Sequence, residues 1–356
     1  MVRFIVVCFL LIGFSSCKSE EPLKTRNFSN VEIEILLKDS LLNVRALEII
    51  PQIDGAFFLC SKGFGGSISR IDSEKSLFET EVIYPIEIIE DDINFRSFGQ
   101  TSKAGFGLGI ESPSLLYKIG GDETTLVYQE AHPKAFYDSM DFWNDQEGIA
   151  IGDPTDDCMS IIITRDGGET WTKLSCNDLP KAKEGEAAFA ASDTNISIVG
   201  DHTWVATGGK ASRILYSPDK GKTWRIYDTP IIQGTATTGI YSLDFYDEQN
   251  GFAIGGDYTK PNDTLNNKIR TSDGGKTWQV VANAKGPGYR SCVQYIPNSD
   301  GKELVAIGFK GIDYSNDAGD SWTHLSDEGF YTIRFLNDSV AYAAGKRRIS
   351  KLTFRE

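Results

Sequence analysis

The sequence predicts an all-β chain folded as a seven-bladed β-propeller of four-stranded antiparallel blades. Three observations favour this architecture. A short turn motif occurs four times at roughly the spacing of propeller blades. Apolar strand patterns that end in glycine recur between these turns. An alternating segment near the start of the chain, residues 31–37, supplies one strand that the last blade would otherwise lack.

The turn motif reads Ser/Thr-x-Asp-x-Gly-x-Thr/Ser-Trp, and its Asp residues are separated by 53, 54 and 44 residues. Asp accepts hydrogen bonds from the backbone of its own turn, Gly tolerates positive φ, and the Trp can pack between blades. We therefore expect structural roles for the motif residues and no catalysis by their aspartates. These residues are Asp166, Gly168, Trp171, Asp219, Gly221, Trp224, Asp273, Gly275, Trp278, Asp317, Gly319 and Trp322.

The strands outside the motif allow the remaining blades to be placed. Residues 140–152 resemble residues 243–255 in pattern, at an offset of 103 residues, or about two blades. Two weakly patterned blades are expected at about 45–84 and 94–130, the second with a degenerate turn at Gly120-Gly121-Asp122, and four blades with the motif follow. Residues 331–354 hold three strand candidates, so residues 31–37 are expected to join this last blade and close the ring. Six or eight blades are the alternatives.

The first 17 residues are typical of a bacterial lipoprotein signal peptide. Arg3 precedes an apolar run that is short for a membrane span, and the segment before Cys17 resembles a lipobox, which predicts lipidation of Cys17. An ordinary signal peptide is the alternative. Residues 18–30 are expected to be a polar tether, with a single propeller over 31–356. Glu20 and Glu21 resemble the acidic signal of surface lipoproteins, so we expect an exported cell-envelope protein, anchored to the outer membrane and facing either the periplasm or the cell surface.

Charge and motif content exclude several functions. The formal net charge is −14, and no long run of Lys or Arg is present, which argues against binding to nucleic acid. His132, His202 and His324 are scattered without the spacing of a metal site or of a Ser/His/Asp triad. We therefore predict no metal and no cofactor.

Four cysteines lie beyond the signal peptide. Cys158 and Cys176 are equally distant from Gly167 at the centre of a motif turn, so they should face each other across two strands. This predicts a cross-strand disulfide, with two buried thiols as the alternative. Cys60 and Cys292 fall in different blades and are expected to be unpaired.

A candidate site follows from topology. Because strands alternate in direction, the motif turns lie on one face and the other loops converge on the channel mouth at the opposite face. Arginines there would hold a carboxylate or phosphate, and carboxylates would accept hydroxyls or form an acid–base pair. The alternative is that these residues are polar only because surface loops are generally polar. The candidates are Asp153, Glu186, Arg213, Asp257, Tyr258, Tyr289, Arg290 and Lys310.

The motif is that of the Asp box, or BNR repeat. Over about residues 136–325 the chain resembles the BNR-repeat propellers typified by the photosystem II stability/assembly factor, and this resemblance implies an assembly or binding factor. Because a shared fold does not imply a shared function, the resemblance does not imply a photosystem partner for this chain. Sialidases share the turns alone, since Arg70-Ile71 is followed by Asp72 where sialidases have Pro. Some bacterial relatives are called oxidoreductases, but no redox cofactor motif supports that role here.

These observations lead to one main hypothesis and two alternatives. The chain is expected to be a membrane-anchored binding or assembly module that recognises a carbohydrate, a small acidic ligand or an envelope protein at the channel mouth. The first alternative is a carbohydrate-active enzyme, similar to a glycoside hydrolase, that uses carboxylates at the same face. The second is a scaffold at the membrane surface, whose channel mouth would be plugged by its own side chains.

Overall fold

The computed structural model describes residues 26–50, 53–72, 78–88, 93–120 and 123–356. Within these ranges every regular element is a β-strand, and no helix could cross a membrane. The predicted signal peptide, Cys17, most of the tether and the turn expected at Gly121 and Asp122 lie outside the described residues.

The strands form seven antiparallel blades, as the sequence predicts. The chain begins with β1 (Asn30–Asn43). Blade 1 then contains β2 (Ala46–Ile50), β3 (Gly55–Leu59), β4 (Phe64–Asp72) and β5 (Phe78–Glu87). Blade 2 contains β6 (Phe95–Gln100), β7 (Gly105–Gly109), β8 (Ser114–Gly120) and β9 (Glu123–Glu130). Blade 3 contains β10 (Tyr137–Phe142), β11 (Gly148–Gly152), β12 (Ser160–Thr164) and β13 (Thr172–Lys173).

The second half of the ring includes two short extra strands, β14 (Glu186–Ala187) and β17 (Gly208–Gly209). Blade 4 contains β15 (Ile196–Val199), β16 (His202–Ala206), β18 (Arg213–Ser217) and β19 (Arg225–Asp228). Blade 5 contains β20 (Thr238–Phe245), β21 (Gly251–Asp257), β22 (Lys268–Thr271) and β23 (Gln279–Val280). Blade 6 contains β24 (Cys292–Tyr295), β25 (Leu304–Gly308), β26 (Gly311–Ser315) and β27 (Thr323–Ser326). Blade 7 contains β28 (Thr332–Phe335), β29 (Val340–Ala344), β30 (Lys346–Arg355) and β1.

The N-terminal strand closes the ring. Strand β1 pairs antiparallel with β30, with Val31 opposite Phe354 and Ile35 opposite Ser350. The predicted strand covers residues 31–37, whereas β1 continues to Asn43 through two register shifts. Because β1 is the outermost strand of blade 7, the first and last strands of the chain hold the ring together.

The Asp-box turns are locked by their own aspartates. Asp273 accepts hydrogen bonds from the Thr277 backbone N–H at 2.9 Å and the Thr277 hydroxyl at 2.7 Å, and from the Thr271 hydroxyl at 2.8 Å. The other three motif aspartates bond to their turns in the same way. Their carboxylates are thus occupied by turn donors, which agrees with a structural role.

The hydrophobic core lies between neighbouring blades. The Asp-box tryptophans contribute directly: Trp322 of blade 6 packs against Phe252 of blade 5 with ring centroids 5.7 Å apart, and Trp171 of blade 3 packs edge-on against Phe106 of blade 2 at 6.2 Å. Gly168, with φ at +83°, lies directly against the ring of Phe106, where a Cβ would clash. The glycine therefore lets the turn of blade 3 pack against blade 2.

The structure contains the disulfide that the turn symmetry predicts. Cys158 and Cys176 are bonded, with their Cα atoms 5.4 Å apart, whereas Cys60 and Cys292 are free and buried. One detail of the prediction is wrong. The two cysteines lie beyond the ends of β12 and β13, because the outer strand of blade 3 is only two residues long. Cys158 instead bridges to Lys181 in the link that follows.

Candidate functional site

The innermost strand of each blade lines a central channel. These strands are β2, β6, β10, β15, β20, β24 and β28, and each contacts the next around a closed ring. The turn after each inner strand lies on the same side as the Asp boxes, here named the Asp-box face. The inner strands begin at the opposite side, here named the mouth face.

A pocket of about 620 Å³ opens at the centre of the mouth face and is here named the mouth pocket. Many of its lining residues come just before an inner strand or from the links between blades. Two arginines and one carboxylate contribute charge: Arg45, Arg96 and Asp153. Its aromatic residues are Phe136, Phe189, Tyr241, Tyr258, Tyr289, Phe309 and Tyr331.

Five of these aromatic rings form a continuous wall from blades 4 to 6. Phe189 stacks on Tyr241 with centroids 4.1 Å apart, and Tyr241 meets Tyr289 edge-on at 4.8 Å. Tyr289 continues to Phe309 at 5.4 Å and to Tyr258 at 6.4 Å. Tyr258 and Phe309 remain 49% and 41% exposed at the rim. Exposed rings beside buried ones give the pocket a flat apolar side that a ligand can cover.

The two guanidinium groups lie on the other side of the pocket. Arg45 stands 4.1 Å above the ring of Tyr331 and donates to Asn43 Oδ1 at 2.7 Å. Arg96 donates to Asn94 Oδ1 at 3.1 Å and to the Ala190 carbonyl at 3.3 Å. Among the described residues, neither arginine has a carboxylate within ion-pair distance.

Burial lowers the pKa of both arginines. For Arg96 the pKa falls to about 10, because burial and the neighbouring charge of Arg45 both disfavour the protonated form. Burial lowers the pKa of Arg45 in the same direction. Both groups remain protonated near neutral pH, so the pocket holds two partly desolvated positive charges. A bound anion would stabilise them by supplying a counter-charge.

Asp153 lines the blade 3 side of the pocket, and the fully buried Asp138 lies close enough for its charge to interact with that of Asp153. Asp153 accepts the Ala188 backbone N–H at 2.8 Å, and burial raises its pKa to about 6. Asp138 lies on β10 with no exposed surface. Burial, reinforced by the charge of Asp153, raises the pKa of Asp138 well above its usual range.

Two residues that were predicted to bind a ligand, Glu186 and Arg213, form an ion pair with each other. Arg213 Nε donates to Glu186 Oε1 at 3.0 Å, and Thr207 donates its hydroxyl to the same oxygen at 2.7 Å. The Glu186 side chain has no exposed surface, and that of Arg213 is 8% exposed. The expectation that Arg213 binds a ligand carboxylate is therefore wrong: the pair ties the link after blade 3 to β18.

Arg290 is paired in the same manner. Its Nε donates to Asp313 Oδ2 at 2.7 Å, and both side chains are almost fully buried. Asp313 also contacts His324 Nδ1 at 3.0 Å. Arg290 does not line the mouth pocket, so its predicted role in holding an anion is also wrong.

The remaining candidates divide between the pocket and its surroundings. Asp257 accepts the backbone N–H and the hydroxyl of Thr259 at 2.9 and 2.7 Å, so it caps its own loop. Lys310 is exposed and lies outside the pocket lining. Asp153, Tyr258 and Tyr289 do line the pocket, as the sequence predicts.

The sequence prediction missed Arg45 and Arg96. Arg45 directly precedes β2, just as Phe136, Ser291 and Tyr331 directly precede β10, β24 and β28. All four line the pocket. The position before an inner strand was therefore an available signal for Arg45, which the weak pattern of blade 1 concealed, whereas Arg96 is the second residue of β6.

Below the mouth pocket, the channel narrows to a polar cavity of about 190 Å³. Arg334 pairs with Glu48 at 2.7 Å and donates to the Asp193 carbonyl at 3.1 Å. Asp141 and Asp244 also line this cavity, and burial raises the pKa of each to about 7. No group of side chains in the described part of the chain is arranged to hold a metal ion.

The Asp-box face carries a separate apolar recess of about 650 Å³ beside blades 1 to 3, lined by Ile50, Phe57, Phe98 and Phe142. Asp145, also in its lining, accepts hydrogen bonds from the Ser102 backbone and hydroxyl. No lysine or arginine is among the described residues that line this recess, which distinguishes it from the mouth pocket.

Comparison with known proteins agrees with this architecture. The family model for the BNR/Asp-box repeat matches residues 162–173, the end of β12 and its turn. The chain carries a BNR/Asp-box repeat. No curated protein matches the sequence at a significant level.

Several solved structures share the fold. YCF48 bound to a D1 peptide is 12% identical, with 91% of this chain and 95% of that chain covered and a TM-score of 0.60. The Pan2 WD40 domain of Neurospora crassa is 13% identical, with 88% and 90% covered and a TM-score of 0.60. The GH74 enzyme of Niastella koreensis is 13% identical, with 89% of this chain but 53% of the enzyme covered and a TM-score of 0.58. At these identities the likeness shows the fold alone.

Proposed function

We propose that the protein is an exported, membrane-anchored binding module whose mouth pocket holds an acidic ligand with a flat apolar part. The ligand is either a small molecule, such as a uronic acid or an aromatic acid, or a segment of an envelope protein. The observation that carries this proposal is the pair Arg45 and Arg96, which have no carboxylate partner among the described residues and face an aromatic wall.

The arginine side and the aromatic side of the mouth pocket suit two different parts of one ligand. A guanidinium donates paired hydrogen bonds to a carboxylate, and the partly buried setting strengthens that interaction relative to water. Sugar rings, aromatic rings and apolar side chains all pack on exposed aromatic surface. The likeness to YCF48 supports a binding role, since that propeller is seen with a bound peptide. The N-terminal signal pattern supports export and anchoring.

A thermal-shift screen of the mature chain tests this proposal. We expect one or more ligands among uronic acids, aromatic carboxylic acids and short acidic peptides to raise the apparent Tm by mass action. Arg96→Gln should weaken binding by roughly 10- to 100-fold, because it removes a charge-assisted hydrogen bond. Lys260→Gln is the matched control, since Lys260 is exposed and does not line the pocket.

The two sources of ligand are distinguished by which probes bind. Stabilisation by monosaccharide acids but not by peptides would assign a carbohydrate, and the reverse would assign a protein segment. Equal affinity of wild type and Arg96→Gln for every hit would contradict the proposed pocket. If no probe in the panel binds, pull-down from cell envelopes is the next test. Partners captured equally well by wild type and by Arg96→Gln would also contradict the proposed pocket.

A carbohydrate-active enzyme is the second candidate, and Asp153 favours it. Its carboxyl group lines the mouth pocket and has a pKa raised by burial to about 6, as general acid catalysis of glycoside cleavage requires. Turnover of an oligosaccharide that is abolished in Asp153→Asn, with binding retained, would establish this function. Binding without turnover across the same substrates would exclude it for them.

A further inference from the structure

The Asp boxes supply aromatic side chains to the clefts between neighbouring blades. Trp171 of blade 3 lies against Phe106 of blade 2, and Trp322 of blade 6 lies against Phe252 of blade 5. Both phenylalanines belong to the second strand of their blade, and neither has any exposed surface. In these clefts the indole of one blade therefore covers an apolar ring of the blade before it.

Blade 2 has no Asp box and no room in its turn for one. Ile119 of β8 stands where Thr164 begins the Asp box of blade 3, since each lies opposite the first residue of the second strand of its blade. The pairing of Gly120 with Glu123 then leaves two residues between β8 and β9, whereas residues 165–171 separate β12 from β13. Blade 2 therefore supplies no tryptophan to its cleft with blade 1.

The recess of about 650 Å³ on the Asp-box face lies at this cleft, and Phe57 lines it. Phe57 on β3 pairs with Glu48, which lines the lower channel cavity. Phe252 pairs in the same way with the channel-lining Asp244, so Phe57 is its counterpart in blade 1. Although Phe57 meets Phe98 of blade 2 at 5.1 Å, it remains partly exposed. The ring that an indole covers elsewhere is thus open to the recess.

The cleft between blades 6 and 7 shows how a segment outside the repeats fills such a space. Blade 7 has no Asp box, and Phe28, which precedes β1, lies against Tyr314 of blade 6 at 5.1 Å and Phe354 of blade 7 at 5.7 Å. It is 4% exposed. Nearby, Arg26 donates its Nε to the buried carboxylate of Glu303 at 2.9 Å. An aromatic side chain with a basic one close by therefore closes this cleft.

The recess offers the same two chemical features. Its lining is mainly apolar, and among its described lining residues Asp145 is the one that carries a charge. The Ser102 backbone N–H donates to Asp145 at 2.7 Å, which fixes the carboxylate at the edge of the recess. A basic group beside an inserted ring would meet this carboxylate, and the net charge of −14 also favours a basic partner over an acidic one.

We propose that the recess is a docking site for a partner protein, which inserts one aromatic side chain against Phe57 and places a Lys or Arg beside Asp145. The partner takes the place that the tryptophan of an Asp box takes in the filled clefts. The site lies on the Asp-box face, so it is separate from the mouth pocket and does not depend on the function proposed for that pocket.

A short capped peptide tests this site in the purified protein. Acetyl-Gly-Lys-Trp-Lys-Gly-amide, made with 5-fluorotryptophan, has no carboxylate for the arginines of the mouth pocket, and fluorine NMR detects its binding. We expect a Kd on the order of 1 mM, since one ring and one exposed ion pair are engaged. The same peptide with Ala in place of Trp should compete at least about tenfold more weakly, because the buried ring is lost.

Three variants locate the binding. Phe57→Ala should weaken binding of the peptide about five- to tenfold, because it removes the ring on which the indole packs. Asp145→Asn keeps an oxygen that accepts from Ser102 and should weaken binding about two- to fivefold through loss of the charge. Leu126→Ala is the matched control with no expected effect, since Leu126 is 43% exposed on β9 and lies outside the recess lining.

Photo-crosslinking to the wild-type protein gives a test that does not depend on the folding of a variant. With benzoylphenylalanine in place of Trp, the peptide should attach to residues 98–105 or 142–145, which border the recess. Attachment confined to residues 187–191, which line the mouth pocket, would overturn the proposal. So would the absence of binding at millimolar peptide, or equal binding of the Trp and Ala peptides.

Discussion

The buried ion pair between Glu186 and Arg213 leads to a specific prediction about the stability of the fold. Arg213→Met removes the guanidinium and leaves the Glu186 carboxylate without exposed surface and without a counter-charge. Thr207 and the Lys183 backbone N–H still donate to Glu186, but they are neutral. Breaking a buried ion pair in this way costs about 3–5 kcal/mol.

The corresponding change in Tm follows from chain length. The unfolding entropy of a chain of this size is roughly 0.7 kcal/mol/K, so Arg213→Met should lower the Tm by about 4–7 °C. Calorimetry of the purified mature domain measures this directly. The double variant Glu186→Gln with Arg213→Met should recover most of the loss, because the amide oxygen still accepts from Thr207 without burying a charge.

Either of two results would refute this reasoning. An unchanged Tm in Arg213→Met would mean that the ion pair does not hold the link after blade 3. A double variant no more stable than the single variant would mean that the cost arises from lost packing of the arginine stem and not from the unpaired carboxylate.

Three further predictions concern stability. Replacing Cys158 and Cys176 by serine should lower the free energy of unfolding by about 3 kcal/mol, because the bond closes a loop of 18 residues, and an unchanged urea midpoint would contradict this. Asp244, with a pKa of about 7, keeps its proton in the folded chain while the unfolded chain releases it near pH 4, so wild-type stability falls as the pH rises through this window. Asp244→Asn should therefore gain stability over wild type at pH 8 and not at pH 4, and equal differences at both pH values would argue against the raised pKa. Asp273→Ala should cost about 1–3 kcal/mol by releasing three turn donors, without changing ligand affinity, and loss of binding with no loss of stability would indicate a functional Asp box.

The architecture was predictable because its determinants are local. Each Asp box encodes a turn within eight residues, and the spacing between boxes gives the blade length. Counting the strands after the last box showed that one was missing, and residues 31–37 supplied it; β1 does pair with β30. The disulfide followed from the same local symmetry about Gly167.

The pocket residues were harder to predict because they depend on pairwise distances. Sequence topology placed Arg213 and Arg290 near the correct face, but their partners Glu186 and Asp313 are 27 and 23 residues away. Only the folded structure shows that these charges neutralise each other. Arg45 and Arg96 belong to blades without the turn motif, so the positions of their inner strands were only weakly marked in the sequence.

If Arg45 and Arg96 recognise a negative charge in the mouth pocket, a ligand that loses its charge should bind more weakly. The most direct measurement is a calorimetric titration of one hit in two forms, the carboxylate and its primary amide, into wild-type protein. We expect the amide to bind at least about tenfold more weakly, since it loses the charge-assisted hydrogen bonds. Equal affinity of the two forms would contradict it.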